Sequence, residues 1–150
     1  MVAQGIRFGM IGEREDLPLA TRKMLDYAAD KTAGGGDMRL TLALSYSGRE
    51  EILQAARRLI RAEVKPGELD EATFRAYLYD PDLPDPDLLI RTSGEIRISN
   101  FLLFESAYTE FFFTPKLWPD FDEADLHEAL ESFAGRGRRF GRTDEHMEED

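Results

Sequence analysis

The chain has 150 residues, of which 42% are hydrophobic and 33% charged, enough apolar material for a globular domain with a real core. It is acidic, with 19 Lys+Arg against 30 Asp+Glu and a formal net charge of −11, which argues against a nucleic-acid partner. There is no cysteine, so disulfides and thiolate metal sites are excluded. No apolar run approaches the ~20 residues that span a bilayer, and the N-terminus lacks a signal-peptide core, so a cytoplasmic location is expected.

In chain order, residues 6–11 read as a β-type run ended by Gly12. Residues 17–33 read as a helix, with Leu19, Met24, Leu25 and Ala28 near helical spacing, broken by Gly34-Gly-Gly36 and Asp37. Residues 38–44 form a largely apolar strand expected to be buried on both faces. Ser47-Gly-Arg-Glu50 has the capping-box pattern and opens a helix whose inward face is Ile52, Ala55, Ala56, Leu59 and Ile60. Pro66-Gly67 closes it, and Asp70 begins a shorter helix through Leu78.

Pro81, Pro84 and Pro86 make an extended connection that feeds a strand at 88–90. A short helix is expected over 99–107 and a strand over 109–113. Asp122 caps a final helix with Leu126, Ala129, Leu130, Phe133 and Ala134 inward. Residues 143–150 form an acidic tail expected to fray. Strands alternating with helices imply an α/β layer fold with a mostly parallel sheet.

Chemistry concentrates in Asp87-Leu-Leu-Ile-Arg91-Thr-Ser-Gly-Glu95-Ile-Arg97-Ile-Ser99-Asn-Phe101. An apolar strand runs into a polar loop that holds two arginines, a glycine and a serine. Arginine offers a planar fork of donors that fits phosphate oxygens. Ser99 and Asn100 stand where a helix would begin and would present free N–H groups to an anion. The competing reading is a solvated loop in which Arg97 pairs with Glu95. A second basic cluster, Arg136, Arg138, Arg139 and Arg142, also suits cations placed at a helix C-terminus. Phe111, Phe112, Phe113, Trp118 and Phe121 read as core and subunit interface. His127 and His146 are isolated, and neither reads as catalytic.

The run Arg91-Thr-Ser-Gly-Glu-Ile-Arg-Ile-Ser-Asn-Phe-Leu-Leu-Phe104 closely resembles the C-terminal signature of cis-prenyltransferases, the undecaprenyl diphosphate synthase family. Phe111-Phe-Phe-Thr-Pro-Lys-Leu-Trp118-Pro-Asp-Phe121 resembles that family's strand and Trp-Pro-Asp turn. Leu40-Thr-Leu-Ala-Leu-Ser-Tyr46-Ser-Gly-Arg-Glu-Glu-Ile52 resembles its central strand and following helix, and Gly135-Arg-Gly-Arg-Arg-Phe-Gly141 its basic end. The family's Asp-Gly-Asn-Arg-Arg-Trp segment, which carries the Mg-binding aspartate and the allylic-diphosphate pocket, has no counterpart in these residues. Met1-Val-Ala-Gln-Gly-Ile-Arg-Phe-Gly-Met-Ile11-Gly looks like a strand from the middle of the family fold.

The resemblance implies an α/β fold with a mostly parallel central sheet flanked by helices, incomplete on its N-terminal side. Residues 1–142 would be the C-terminal part of the domain. An incomplete sheet of this kind would expose an apolar patch or a bare edge. The implied activity is condensation of isopentenyl diphosphate onto an allylic diphosphate, such as farnesyl diphosphate, by a homodimer with Mg2+. Membrane contact would come only through the lipid product.

Arg91, Arg97, Ile98 and Ser99 match positions that bind isopentenyl diphosphate, with Ile98 contributing backbone and packing. Glu110 matches the Mg-associated glutamate. Arg139 and Gly141 match an Arg-X-Gly element that reaches the partner's diphosphate site. Ile96 departs from the polar residue, in some members histidine, found there in the family. No residue of this chain is assigned as catalytic acid or base. The rival implied reading is a non-catalytic partner subunit or inactive fragment that lends a dimer face.

Overall fold

The computed structural model describes residues 1–36 and 38–136. They fall into two compact units, Met1–Leu83 with Asn100–Leu102, and Pro84–Ser99 with the chain from Leu103 onward.

In the first unit, strand β1 (Ile6–Ile11), helix α1 (Leu19–Thr32) and strand β2 (Met38–Ala43) form a β-α-β unit. The strands pair in parallel, in register from Ile6 opposite Met38 to Ile11 opposite Ala43. Ile6, Phe8 and Ile11 are strong strand formers in β1, whereas β2 has only Thr41 and owes its extended form to the pairing with β1. The Thr32 hydroxyl, buried at the end of α1, accepts from Phe8 N at 3.0 Å and donates to Ala28 O at 2.7 Å, tying the helix to β1. Gly12 ends β1 with φ of 113°, and a Cβ there would lie 2.1 Å from Leu44 O, so only glycine fits.

Two expectations fail in this unit. Strand β2 is not buried on both faces: Met38, Leu40 and Leu42 are 56%, 40% and 39% exposed. The intervening Arg39, Thr41 and Ala43 are half-buried, and Arg39 pairs with Asp80. The inward stripe of α1 is Thr21, Leu25, Ala28 and Thr32, while Leu19 and Met24 point to solvent.

Helix α2 (Gly48–Arg61) is N-capped by Ser47, whose side chain accepts from Glu50 N, one half of the predicted capping box; the Glu50 carboxylate accepts from Arg57 instead of closing the other half. Its buried stripe is Glu51, Ala55 and Leu59, and Ile60 is exposed. Helix α3 (Glu71–Arg75), capped by Asp70 through Thr73 N at 2.8 Å, is shorter than expected and continues as turns to Leu78.

The buried Glu51 carboxylate, only 3% exposed, accepts from the Tyr46 hydroxyl and from Tyr79 N at 3.2 Å. The Tyr79 hydroxyl donates to Glu13. Burial, reinforced by that bond, pushes the Tyr79 hydroxyl well above the ordinary phenol range. Arg58 Nη1 donates to the carbonyls of Tyr77 and Leu78, both at 3.0 Å, and its guanidinium lies 5.6 Å from the Tyr79 ring centroid.

In the second unit, strands β3 (Leu88–Arg91) and β4 (Glu110–Phe113) also pair in parallel, with Leu88 opposite Glu110 and Arg91 opposite Phe113. The predicted helix over 99–107 is absent. The segment is a series of turns, with Ser99, Asn100 and Leu102 at φ of 50°, 62° and 44°. Left-handed residues so close together are incompatible with a right-handed helix.

Helix α4 (Glu123–Ala134) packs on β4 and begins with a reciprocal cap. Asp122 Oδ1 accepts from Ala124 N and Asp125 N, while Asp125 Oδ2 accepts from Asp122 N at 2.9 Å. Asp125 and Ala129 are buried and Ser132 and Phe133 half-buried, whereas Leu126, Leu130 and Ala134 are exposed, against expectation. Phe111 and Phe113 stack at 5.9 Å on one face of β4. Trp118, stacked on Phe121, is exposed and is not a core residue. No helix among the described residues is long and apolar enough to cross a membrane.

The Lys116 ammonium, 2.7 Å from Asp125 Oδ2, holds that carboxyl below its usual range, and the Asp122 N–H adds to the effect. A carboxyl with a depressed folded pKa stabilises the fold above its unfolded value, and that stability is lost as pH falls through the folded value. Lys116→Met is therefore expected to lower stability at neutral pH and to flatten its loss between about pH 5 and about pH 3. Denaturant midpoints measured across that range check it. An unchanged acid limb would show that the pair carries no stability.

Candidate functional site

Strand β3 delivers Arg91 at its C-terminal end, where parallel α/β sheets bind ligands. Beyond it the chain stays tied to the segment after β4. Thr114 N donates to Arg91 O at 2.9 Å, Ser93 N to Lys116 O at 2.7 Å and Gly94 N to Thr114 O at 2.9 Å. Ser93 and Gly94 both turn left-handed, at φ of 70° and 69°. A Cβ on Gly94 would meet nothing nearer than Pro115 Cα at 3.9 Å, so the backbone conformation, and not crowding, favours glycine there.

The turn brings the two arginines together. Arg91 Nη1 donates to Arg97 O at 2.8 Å. One guanidinium thus braces the limb of the loop that carries the other, and its remaining donors keep the fork geometry that phosphate oxygens fit. The Arg97 side chain is 66% exposed and pairs with Glu95, so the competing sequence reading of that residue describes a contact that exists. Such an exposed pair is worth little and yields readily to an anionic ligand. Ile98 is half-buried, and Ile96 and Ser99 are exposed.

The helix N-terminus expected at Ser99 and Asn100 is not there, and no fan of helix N–H groups stands behind Ser99. Asn100 serves a different helix within the first unit. Its carbonyl accepts from Gly48 N at 2.8 Å, its Oδ1 from Arg49 N at 2.9 Å, and its Nδ2 donates to Ser47 Oγ at 2.7 Å. These bonds satisfy amides that the first turn of α2 leaves unpaired.

Glu110 is not beside Arg91. The register sets it opposite Leu88, three residue steps or about 10 Å from Arg91's row. Its Oε2 accepts from Arg136 Nη1 at 2.8 Å. Sequence reasoning missed that partner, although Arg136 belongs to the basic cluster noted at the end of α4. Among the described residues no group of three or more His, Cys, Asp or Glu could hold a metal ion. A half-exposed glutamate is nonetheless a fitting ligand for Mg2+, which takes one or two carboxylates and fills its other positions with phosphate oxygens and water. His127 is exposed on α4. Arg139, Gly141, His146 and the acidic tail lie outside the described residues.

The chain resembles proteins of known class over most of its length. An isoprenyl transferase of Geobacter sulfurreducens is 50% identical over 147 residues, covering 95% of this chain and 60% of the relative. A tritrans,polycis-undecaprenyl-diphosphate synthase (geranylgeranyl-diphosphate specific) of Thermoplasma volcanium is 45% identical, covering 91% of this chain and 55% of the relative. The crystal structure of lavandulyl diphosphate synthase from Lavandula x intermedia, in complex with dimethylallyl diphosphate, superposes with a TM-score of 0.87 at 43% identity. It covers 91% of this chain and 61% of that one. The chain thus spans about 60% of the length of the curated relatives it matches. The Prenyltransf family model, of undecaprenyl diphosphate synthase, matches residues 1–141, and with identities of this size the chain belongs to that family.

Proposed function

We propose that this chain is the isopentenyl-diphosphate-binding part of a cis-prenyltransferase, which condenses isopentenyl diphosphate onto an allylic diphosphate to give a polyprenyl diphosphate. The observation that carries the reading is the joining of Arg91 and Arg97 at the C-terminal end of β3, through the 2.8 Å bond from Arg91 Nη1 to Arg97 O. In this reading both guanidinium groups grip the diphosphate. Ser99 adds its hydroxyl, and Ile98 supplies backbone and packing. The chain's own part in catalysis is orientation and electrostatics, holding the homoallylic double bond where it can attack.

Glu110 would hold Mg2+, an ion that takes few carboxylates and completes its shell with phosphate oxygens and water. When bound, the ion offsets charge on the departing diphosphate. Arg139 and Gly141 act across a homodimer toward the partner's diphosphate. The allylic side needs a segment like the family's Asp-Gly-Asn-Arg-Arg-Trp, which these 150 residues do not contain. A dimethylallyl diphosphate complex in the lavandulyl relative and geranylgeranyl-diphosphate specificity in the Thermoplasma relative support an allylic diphosphate as co-substrate. A cytoplasmic setting goes with this reading.

Calorimetric titration of the purified chain with isopentenyl diphosphate in Mg2+ tests it. Saturable binding is expected, with no long-chain product from farnesyl diphosphate and labelled isopentenyl diphosphate. Absence of binding would favour a non-catalytic partner subunit. Robust polyprenyl product from this chain alone would overturn the need for a further segment.

A further inference from the structure

Glu110 and Arg136 are 26 positions apart and meet through the 2.8 Å bond from Arg136 Nη1 to Glu110 Oε2. Their side chains are 30% and 39% exposed, so the contact is partly shielded from water but open to ions. Arg136 stands just past the C-terminal end of α4, where the helix dipole favours a cation. Its Nη2 also approaches Ser132 Oγ at 3.4 Å, one turn back on the same helix. The guanidinium therefore reaches the carboxylate from the end of α4, with a second contact on the same helix.

A carboxylate oxygen bonded to a guanidinium is already neutralised. A divalent cation that takes the same oxygen brings its own charge against the arginine. We propose that Arg136 competes with the divalent cation for Glu110. It occupies the carboxylate when no metal is bound and is released when one binds. This deepens the reading above and rests on Glu110 being a metal ligand there. The competition would keep a lone glutamate from holding a cation before the diphosphate arrives with its own oxygens. Metal binding would then be coupled to substrate, as expected for an ion that prefers few carboxylates.

The test uses the 150-residue chain and the metal alone. Mn2+ affinity is measured by electron paramagnetic resonance in the wild type, Arg136→Gln, Arg136→Lys and Glu110→Gln. Arg136→Gln is expected to bind Mn2+ about two- to fivefold more tightly, the size of a partly exposed ion pair. Arg136→Lys should fall between, and Glu110→Gln should bind more weakly than wild type.

In the wild type, the Arg136 guanidinium signal in nuclear magnetic resonance should shift as Mg2+ is added. Glu110→Gln should reproduce that shift without metal. If Glu110→Gln leaves Mn2+ affinity unchanged, the metal reading of Glu110 fails and this proposal falls with it. If Glu110→Gln weakens Mn2+ but Arg136→Gln does not tighten it, the metal reading stands and the competition is overturned. Should a variant fail to fold, the wild-type signal decides: an Arg136 resonance indifferent to saturating Mg2+ overturns the proposal.

Discussion

Replacing Arg91 by alanine is expected to weaken isopentenyl diphosphate binding by about tenfold to a hundredfold, the worth of a charge-assisted hydrogen bond lost from a binding site. Two losses combine at this position. In the proposed site the diphosphate would lose one guanidinium fork, and the loop loses the bond from Arg91 Nη1 to Arg97 O that holds its far limb. Arg91→Lys keeps the charge but cannot span both jobs with a planar fork, so it should recover only part of the affinity. Arg97→Ala should cost less, because Arg97 is already 66% exposed and leaves Glu95 to bind the substrate. Calorimetry of the variants, with circular dichroism to confirm the fold, measures both. Unchanged binding in Arg91→Ala would remove the anion site from the end of β3.

The second large effect is on stability. Glu51→Ala is expected to cost about 2–4 kcal/mol, since it removes a charged acceptor and leaves the Tyr46 hydroxyl and the Tyr79 N–H without it. At this chain length that corresponds to a fall in Tm on the order of 5–15 °C. Glu51→Gln retains an acceptor for Tyr79 N and should cost markedly less. Thermal unfolding followed by circular dichroism separates the two. Equal, small losses would mean that water replaces the carboxylate at little cost and that the network is not a stabilising element.

Local patterns in the sequence located β1, β2, β3, β4, the caps at Ser47 and Asp122 and the helix start at Asp70, because strand patterning and capping chemistry act within a few residues. They misjudged which faces turn inward, for one repeated reason. Glu51 on α2 and Asp125 on α4 are buried, while Ile60 on α2 and Leu126 and Leu130 on α4, which a hydrophobicity count turns inward, are exposed. Each acid is satisfied by distant partners, Tyr46 and Tyr79 in one case and Lys116 in the other. The missing helix over 99–107 has a similar origin. Its apolar spacing suits a helix, but Asn100 turns left-handed to serve the amides of α2, a tie about 50 positions away that no window of sequence displays.

The site divides in the same way. Arg91 and Arg97 were legible because they share one short loop. The ion pair of Glu110 was not legible, since its arginine lies beyond an entire helix.

The open face of β2 bears on how the chain behaves in a crowded solution. Met38, Leu40 and Leu42 form an apolar stripe on a strand surface, the kind of surface on which chains adhere to one another. A net charge of −11 opposes such encounters by mutual repulsion, and salt weakens that repulsion within a Debye length of about 8 Å at physiological strength. For these 150 residues by themselves, colloidal stability is therefore expected to rest on charge, and to weaken as ionic strength rises or pH approaches the acidic isoelectric point.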